Sequence, residues 1–138
     1  MAALGARVTV VARRADRLDA LVGKIESTGG HALAVSADIT DEGQAHASVA
    51  RTVETYGRVD TVVANAGVMI LGPITGADTT DWRRMIELNT LGLMYTAHAA
   101  APHLLEAAAD GPRKDTPLVL VSSIPGRVLL VRPTEQQD

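Results

Sequence analysis

The chain has 138 residues, 46% of them hydrophobic, which is enough for one domain with a real core and argues against disorder. A formal net charge of −3 and the lack of any long basic run weigh against nucleic acid as a partner. The absence of cysteine excludes disulfides, thiolate chemistry and Cys-ligated zinc, and no metal ligands are singled out.

No apolar run approaches the length needed to span a bilayer, so no membrane partner is expected. Met1-Ala2-Ala3-Leu4-Gly5-Ala6-Arg7 lacks a basic region followed by an apolar stretch, so the default expectation is a soluble cytoplasmic protein. Aromatics are only 2%, so the core must be filled by Ala, Val, Leu and Ile.

The first predicted strand is 8–12, followed by Arg13-Arg14. A helix over 15–27 places Leu18, Leu21, Val22 and Ile25 on one face, and Gly29-Gly30 ends it. Residues 31–37 read as a second strand closed by Asp38-Ile39, with Thr40 as N-cap of the next helix. That helix presents Val49, Val53 and Tyr56 on one face and stops at Gly57. Val62-Val63-Ala64 then reads as a short strand buried on both faces, ending abruptly in Asn65-Ala66-Gly67. Small residues there allow close approach to the backbone. A loop over 67–77 leads to a long helix over 80–109, interrupted in pattern at Asn89 and Gly92. Residues 117–121 form the last clear strand, followed by Ser122-Ser123-Ile124-Pro125-Gly126.

This alternation predicts an α/β fold, a parallel sheet with helices on both faces. Right-handed crossovers put the strand ends on one side. Arg13-Arg14, Asp38, Asn65 and Ser122-Ser123 all lie just past such ends, where ligands of open α/β sheets bind. A single polar residue after a strand is an ordinary turn residue. Several in register favour a ligand edge.

Five segments together resemble the short-chain dehydrogenase/reductase family of Rossmann-type oxidoreductases. They are Val10-Val11-Ala12-Arg13-Arg14, Ala37-Asp38-Ile39-Thr40-Asp41, Val63-Ala64-Asn65-Ala66-Gly67, Leu88-Asn89-Thr90-Leu91-Gly92, and Val119-Leu120-Val121-Ser122-Ser123-Ile124-Pro125-Gly126-Arg127. The resemblance implies hydride transfer between a nicotinamide cofactor and a small carbonyl or alcohol. It implies that Arg13, with Arg14 beside it, suits the 2′-phosphate of NADP in preference to NAD. A cation at a helix N-terminus is otherwise unfavourable, which supports that role over a solvated helix start. Asp38 and the Ile39 backbone resemble the adenine contact, although Asp38 alone reads equally well as a turn residue. Asn65, Ala66 and Gly67 resemble the segment that stabilises the sheet and lines the cofactor site. Asn89 resembles the helix-kinking residue whose freed carbonyl holds a relay water, and Asn is a poor interior helix former. Ser123 resembles the catalytic Ser that hydrogen-bonds the substrate oxygen; on spacing alone it is equally a turn Ser. The 80–109 helix resembles a subunit-contact helix, which implies oligomerisation as an alternative to simple packing on the sheet.

Two parts of the family pattern are not found in these residues. One is the opening strand with its Thr-Gly-x-x-x-Gly-x-Gly turn, which grips the pyrophosphate; residues 1–6 look like the tail of the helix after it. The other is Tyr-x-x-x-Lys, the general acid/base pair. The only tyrosines are Tyr56 and Tyr95, neither has a Lys four residues on, and the usual spacing from Ser123 would put the Tyr near Gln136. The expectation is therefore one incomplete, truncated domain over 1–138 with an atypical tail from 128. It would bind NADP weakly and have little or no activity alone. In a sheet of order 3-2-1-4-5 the strand not found is central. Direct pairing of its two neighbours, or a gap between them, is expected ahead of the tail filling the space, or the chain stays partly unfolded. A non-catalytic pseudoenzyme or interaction module of the same ancestry is the competing reading. A receiver-like signalling domain would need an acidic cluster that Asp38 alone does not supply.

Overall fold

The predicted alternation of strand and helix is present in the computed structural model, which describes residues 1–111, 114–121 and the backbone of Val128–Val131. A short 3-10 turn at Ala2–Leu4 precedes β1 (Arg7–Ala12), α1 (Ala15–Glu26), β2 (His31–Ser36), α2 (Glu42–Tyr56) and β3 (Val62–Ala64). Then come α3 (Thr79–Ile86), a π-helical stretch Glu87–Gly92, α4 (Leu93–Asp110), β4 (Thr116–Leu120) and β5 (Val128–Val131).

The helix ends follow local chemistry. After α1, Gly29 takes φ 81° and Gly30 donates its N–H to Ile25 O at 3.1 Å, satisfying a carbonyl of the last turn. After α2, Gly57 takes φ 83° and donates to Val53 O at 2.7 Å. The start of α2 corrects the sequence reading. Asp41, not Thr40, is the N-cap, its carboxylate accepting from the Gln44 N–H at 2.8 Å. Thr40 is engaged elsewhere: its N–H and hydroxyl both donate to Asp38 Oδ1, at 3.0 and 2.8 Å.

The strands form two separate sheets. β1 and β2 pair in parallel from Arg7↔His31 to Ala12↔Ser36. β3 and β4 pair in parallel from Val62↔Leu118 to Ala64↔Leu120. β5 runs antiparallel along the other edge of β4, from Val119↔Val128 to Thr116↔Val131. Direct pairing of β1 with β3 does not occur. Among the described residues the gap that was its alternative is what the chain shows, and the strand Val128–Val131 does not fill it. The expectation that β3 is buried on both faces is also corrected: Ala64 is buried, but Val63, whose side chain points to the opposite face of the strand, is 50% exposed.

The core lies between α2, α4 and β4. Val49, Val59, Ala99, Ala100, Leu104 and Leu118 form one buried cluster, with Val53, Val62, Ala97 and Leu120 packed against it. Alanines on α4 let it approach α2 closely, as the lack of aromatics requires. Pro102 sits inside α4 and removes one backbone donor. The helix continues through it because five of its residues, from Ala99 to Ala108, are buried.

Candidate functional site

The parallel pairing of β1 and β2 brings their carboxyl ends side by side. Ala37 N–H donates to Ala12 O at 3.0 Å, and Ser36 Oγ donates to Arg13 O at 3.3 Å. These bonds set Arg13 beside Asp38, with Nη1 3.9 Å from Oδ2. The Arg13 side chain remains 58% exposed, so its guanidinium keeps donors for another acceptor. Arg14 is the N-cap of α1 in extended conformation, without a side-chain cap bond.

Asp38 is held from three directions. Its carboxylate accepts twice from Thr40, and its own N–H donates to Gln44 Oε1 at 2.8 Å. The Thr40 side-chain and backbone bonds hold its pKa below the ordinary carboxylate value, with a smaller contribution from Arg13 and partial opposition from burial. Asp38 is therefore an anion at neutral pH whose outward geometry is fixed by its neighbours.

Ile39, next in the chain, packs onto the π-helical stretch. A Cβ at Gly92 would lie 3.1 Å from Ile39 Cδ1 and 3.2 Å from Ile39 O, so only glycine fits without displacement. Three residues earlier, Asn89 brackets the loop after β3. Its Oδ1 accepts from Val68 N–H at 2.8 Å, and its Nδ2 donates to Val68 O at 2.8 Å. A Cβ on Gly67 would come within 3.2 Å of that same Oδ1. The interruption read at Asn89 and Gly92 is thus a π-helical insertion, a feature common at functional sites. Asn65, Ala66 and Gly67 follow β3 as exposed backbone. Val121 N–H donates to Ala64 O at 3.0 Å, which sets the end of β4 beside Asn65. Ser122 and Ser123 lie outside the described residues.

The predicted residues therefore fall into two groups, Arg13–Asp38 and Gly67–Asn89, joined by the Ile39–Gly92 contact. Sequence reasoning missed Gln44 and Val68. The Asp41-x-x-Gln44 spacing is a capping signature that could have drawn attention to Gln44. Val68 acts through its backbone, so its identity carries no signal. Among the described residues, no helix is long and apolar enough to cross a membrane. A shallow cleft of about 240 Å³ lies apart from both groups, between the loop around Leu71 and Pro73 and the Trp82 face of α3.

Residues 1–132 match the profile of a family described as short chain dehydrogenase. The chain is 39% identical over 114 residues to a (−)-trans-carveol dehydrogenase of Rhodococcus erythropolis, covering 81% of this chain and 39% of that one. It resembles the crystal structure of a 3-ketoacyl-ACP reductase of Sinorhizobium meliloti with a TM-score of 0.74 at 32% identity, covering 78% of this chain and 42% of that one. An alcohol dehydrogenase of the archaeon Thermococcus sibiricus, complexed with 5-hydroxy-NADP, gives a TM-score of 0.74 at 26% identity over 78% of this chain and 46% of that one. The chain spans less than half the length of each. The fold is Rossmann-like α/β.

Proposed function

Given that the chain belongs to the short chain dehydrogenase family, we propose that it carries the adenosine-binding edge of an oxidoreductase that moves a hydride between NADP(H) and a small carbonyl or alcohol. The observation that carries this reading is the unbroken run of contacts from Arg13 through Asp38 and Ile39 to Gly92 and Asn89. The side chains present fit the adenosine end of the cofactor. Arg13, exposed and held only at 3.9 Å by Asp38, offers a planar donor set to a 2′-phosphate, and Arg14 adds charge beside it. Asp38 and the Ile39 backbone take the adenine, and Asn65-Ala66-Gly67 line the site. Asn89 contributes a backbone carbonyl for a relay water, and Ser123 polarises the substrate oxygen. When bound, the nicotinamide supplies the hydride.

Proton transfer sets the limit on what these 138 residues do alone. Tyr56 lies at the end of α2, under the Arg7 guanidinium, and Tyr95 lies within α4. Neither is followed four residues on by Lys. A positioned acid/base contributes about 10²–10⁴-fold. This chain by itself is therefore expected to turn over little or no carbonyl substrate. We read it as a single domain over 1–138 with an atypical tail from 128, self-associating through 80–109.

Calorimetry tests the cofactor role. NADPH should bind more tightly than NADH, and Arg13→Ala should weaken NADPH by about 10–100-fold, the worth of a hydrogen bond to a charged group, while leaving NADH nearly unchanged. Absence of any nucleotide binding would favour the second reading, a non-catalytic module. The specific observation on its side is that β1 and β3 are unpaired among the described residues, with Val11 and Val63 on those two strands exposed. Translating the flanking DNA for a glycine-rich turn and a Tyr-x-x-x-Lys segment distinguishes a piece of an active enzyme from that module.

A further inference from the structure

Away from the strand ends, α2 and α4 bring three ligand-type side chains together. Glu42 and His46 stand four residues apart on α2, which places them on one face of the helix. His98 reaches them from α4, its Nδ1 3.3 Å from His46 Nε2. One ligand atom from each of Glu42, His46 and His98 lies within 4.8 Å of the others, and all three residues are exposed. The two rings meet edge-on, with centroids 5.4 Å apart at 75°.

The spacing suits a metal. Zinc–nitrogen bonds of about 2.0–2.1 Å in a tetrahedral site place two ligand atoms about 3.3–3.4 Å apart. The His46–His98 separation already equals that edge. Two imidazoles and one carboxylate form a recurrent three-ligand zinc set whose fourth position is left to water, and solvent exposure allows that water. Imidazole nitrogen also selects zinc-class ions over magnesium or calcium, which prefer oxygen. The carboxylate of Glu42 lies in the first turn of α2 and offsets the positive end of the helix, which would otherwise repel a cation.

We propose that Glu42, His46 and His98 bind one zinc-class divalent ion, which clips the N-terminal turn of α2 to α4. Gln44, between the two α2 ligands, is the residue that accepts from Asp38 N–H, so the clip would steady the support of that loop without touching a nucleotide. The site does not depend on the redox reading.

The test is titration of the purified 138-residue chain with zinc chloride, by calorimetry and by competition with a chromophoric chelator. One ion per chain is expected. His98→Ala, His46→Ala and Glu42→Gln should each weaken zinc at least tenfold. A variant carrying His31→Ala and His103→Ala, the other two of the four histidines, should bind as the parent does. Zinc should also raise the thermal midpoint of the parent but not of His98→Ala, since a ligand that binds only the folded state stabilises it. Exposed helix positions tolerate these changes, and circular dichroism of each variant confirms that it is folded. No stoichiometric zinc binding, or binding that survives His46→Ala and His98→Ala within tenfold, would reduce the cluster to a histidine–histidine hydrogen bond and overturn the proposal.

Discussion

The β1-α1-β2 unit and the body formed by α2, α4, β3 and β4 are built differently from similar local material. The first has the longer parallel ladder, six residue pairs against three. Yet neither β1 nor β2 contains a buried residue, and α1 buries only Leu18. α4 alone buries five residues and closes the core cluster with Val49 and Leu118. Thr9 on β1 even leaves its hydroxyl buried without a partner among the described residues. A regular hydrogen-bonded ladder thus fixes register without supplying cover, and the stabilising burial lies in the helical body. The charges that the proposed cofactor reading assigns to a nucleotide, Arg13, Arg14 and Asp38, lie on the less covered unit.

The largest effect should come from the body. Leu104 is fully buried in the cluster, so Leu104→Ala removes its transfer free energy and leaves a cavity, about 2–5 kcal/mol together. Val10→Ala, at a half-buried position of the β1 ladder, removes less surface from water and should cost about 1 kcal/mol. Urea unfolding midpoints measure both. Equal losses would mean that β1 and β2 are better covered than their exposure indicates, and the contrast between the halves would fail.

The joint between them comes next. Gly92→Ala gains about 1 kcal/mol of helix preference but drives a methyl against Ile39. Overpacking of this kind costs about 1–3 kcal/mol. The cost should win, because one of the contacts is the Ile39 backbone oxygen, which cannot swing aside as a side-chain end can. A net loss of about 1 kcal/mol is expected. On the proposed cofactor reading, NADPH affinity should fall with it, since Ile39 leads directly from Asp38. A Gly92→Ala protein as stable as the parent would show that the π-helical stretch and the Asp38 loop are not rigidly coupled.

What the sequence made legible divides along the same line. Helix ends were readable where one residue determines them: Gly29 and Gly57 take the left-handed conformation that glycine adopts without strain. The break at Asn89 and Gly92 was readable from helix preference, but its π-helical form was not, and neither was the bond by which Asn89 reaches Val68 across 21 residues of chain. The N-cap was misread as Thr40 because Thr and Asp are both good caps. The choice of Asp41 follows from Thr40 turning back to Asp38, which composition does not encode. The exposure of Val63 could not be read from a β-branched run, since burial depends on what packs against each face of the strand. The i, i+4 pair Glu42 and His46 was visible in the sequence, but its partner His98 arrives only through the packing of α2 on α4.

The smallest effect separates the causes acting on Asp38. Its carboxyl titrates below the ordinary value in the folded chain, so its charge stabilises the fold above the unfolded pKa of about 3.9. That contribution is lost as pH falls through the lowered folded-state pKa. Asp38→Asn keeps an acceptor for Thr40 but removes the charge. The urea midpoint of the parent should therefore exceed that of Asp38→Asn at pH 7, and the two should converge in acid below about pH 4. The Thr40 bonds outweigh the Arg13 charge as the cause, so Thr40→Ala should shrink the difference at pH 7 more than Arg13→Ala does. The reverse order would make Arg13 the main partner of Asp38. Its guanidinium would then be committed within the fold and not free for a phosphate, which would tie the first unit's charges to stability instead of binding.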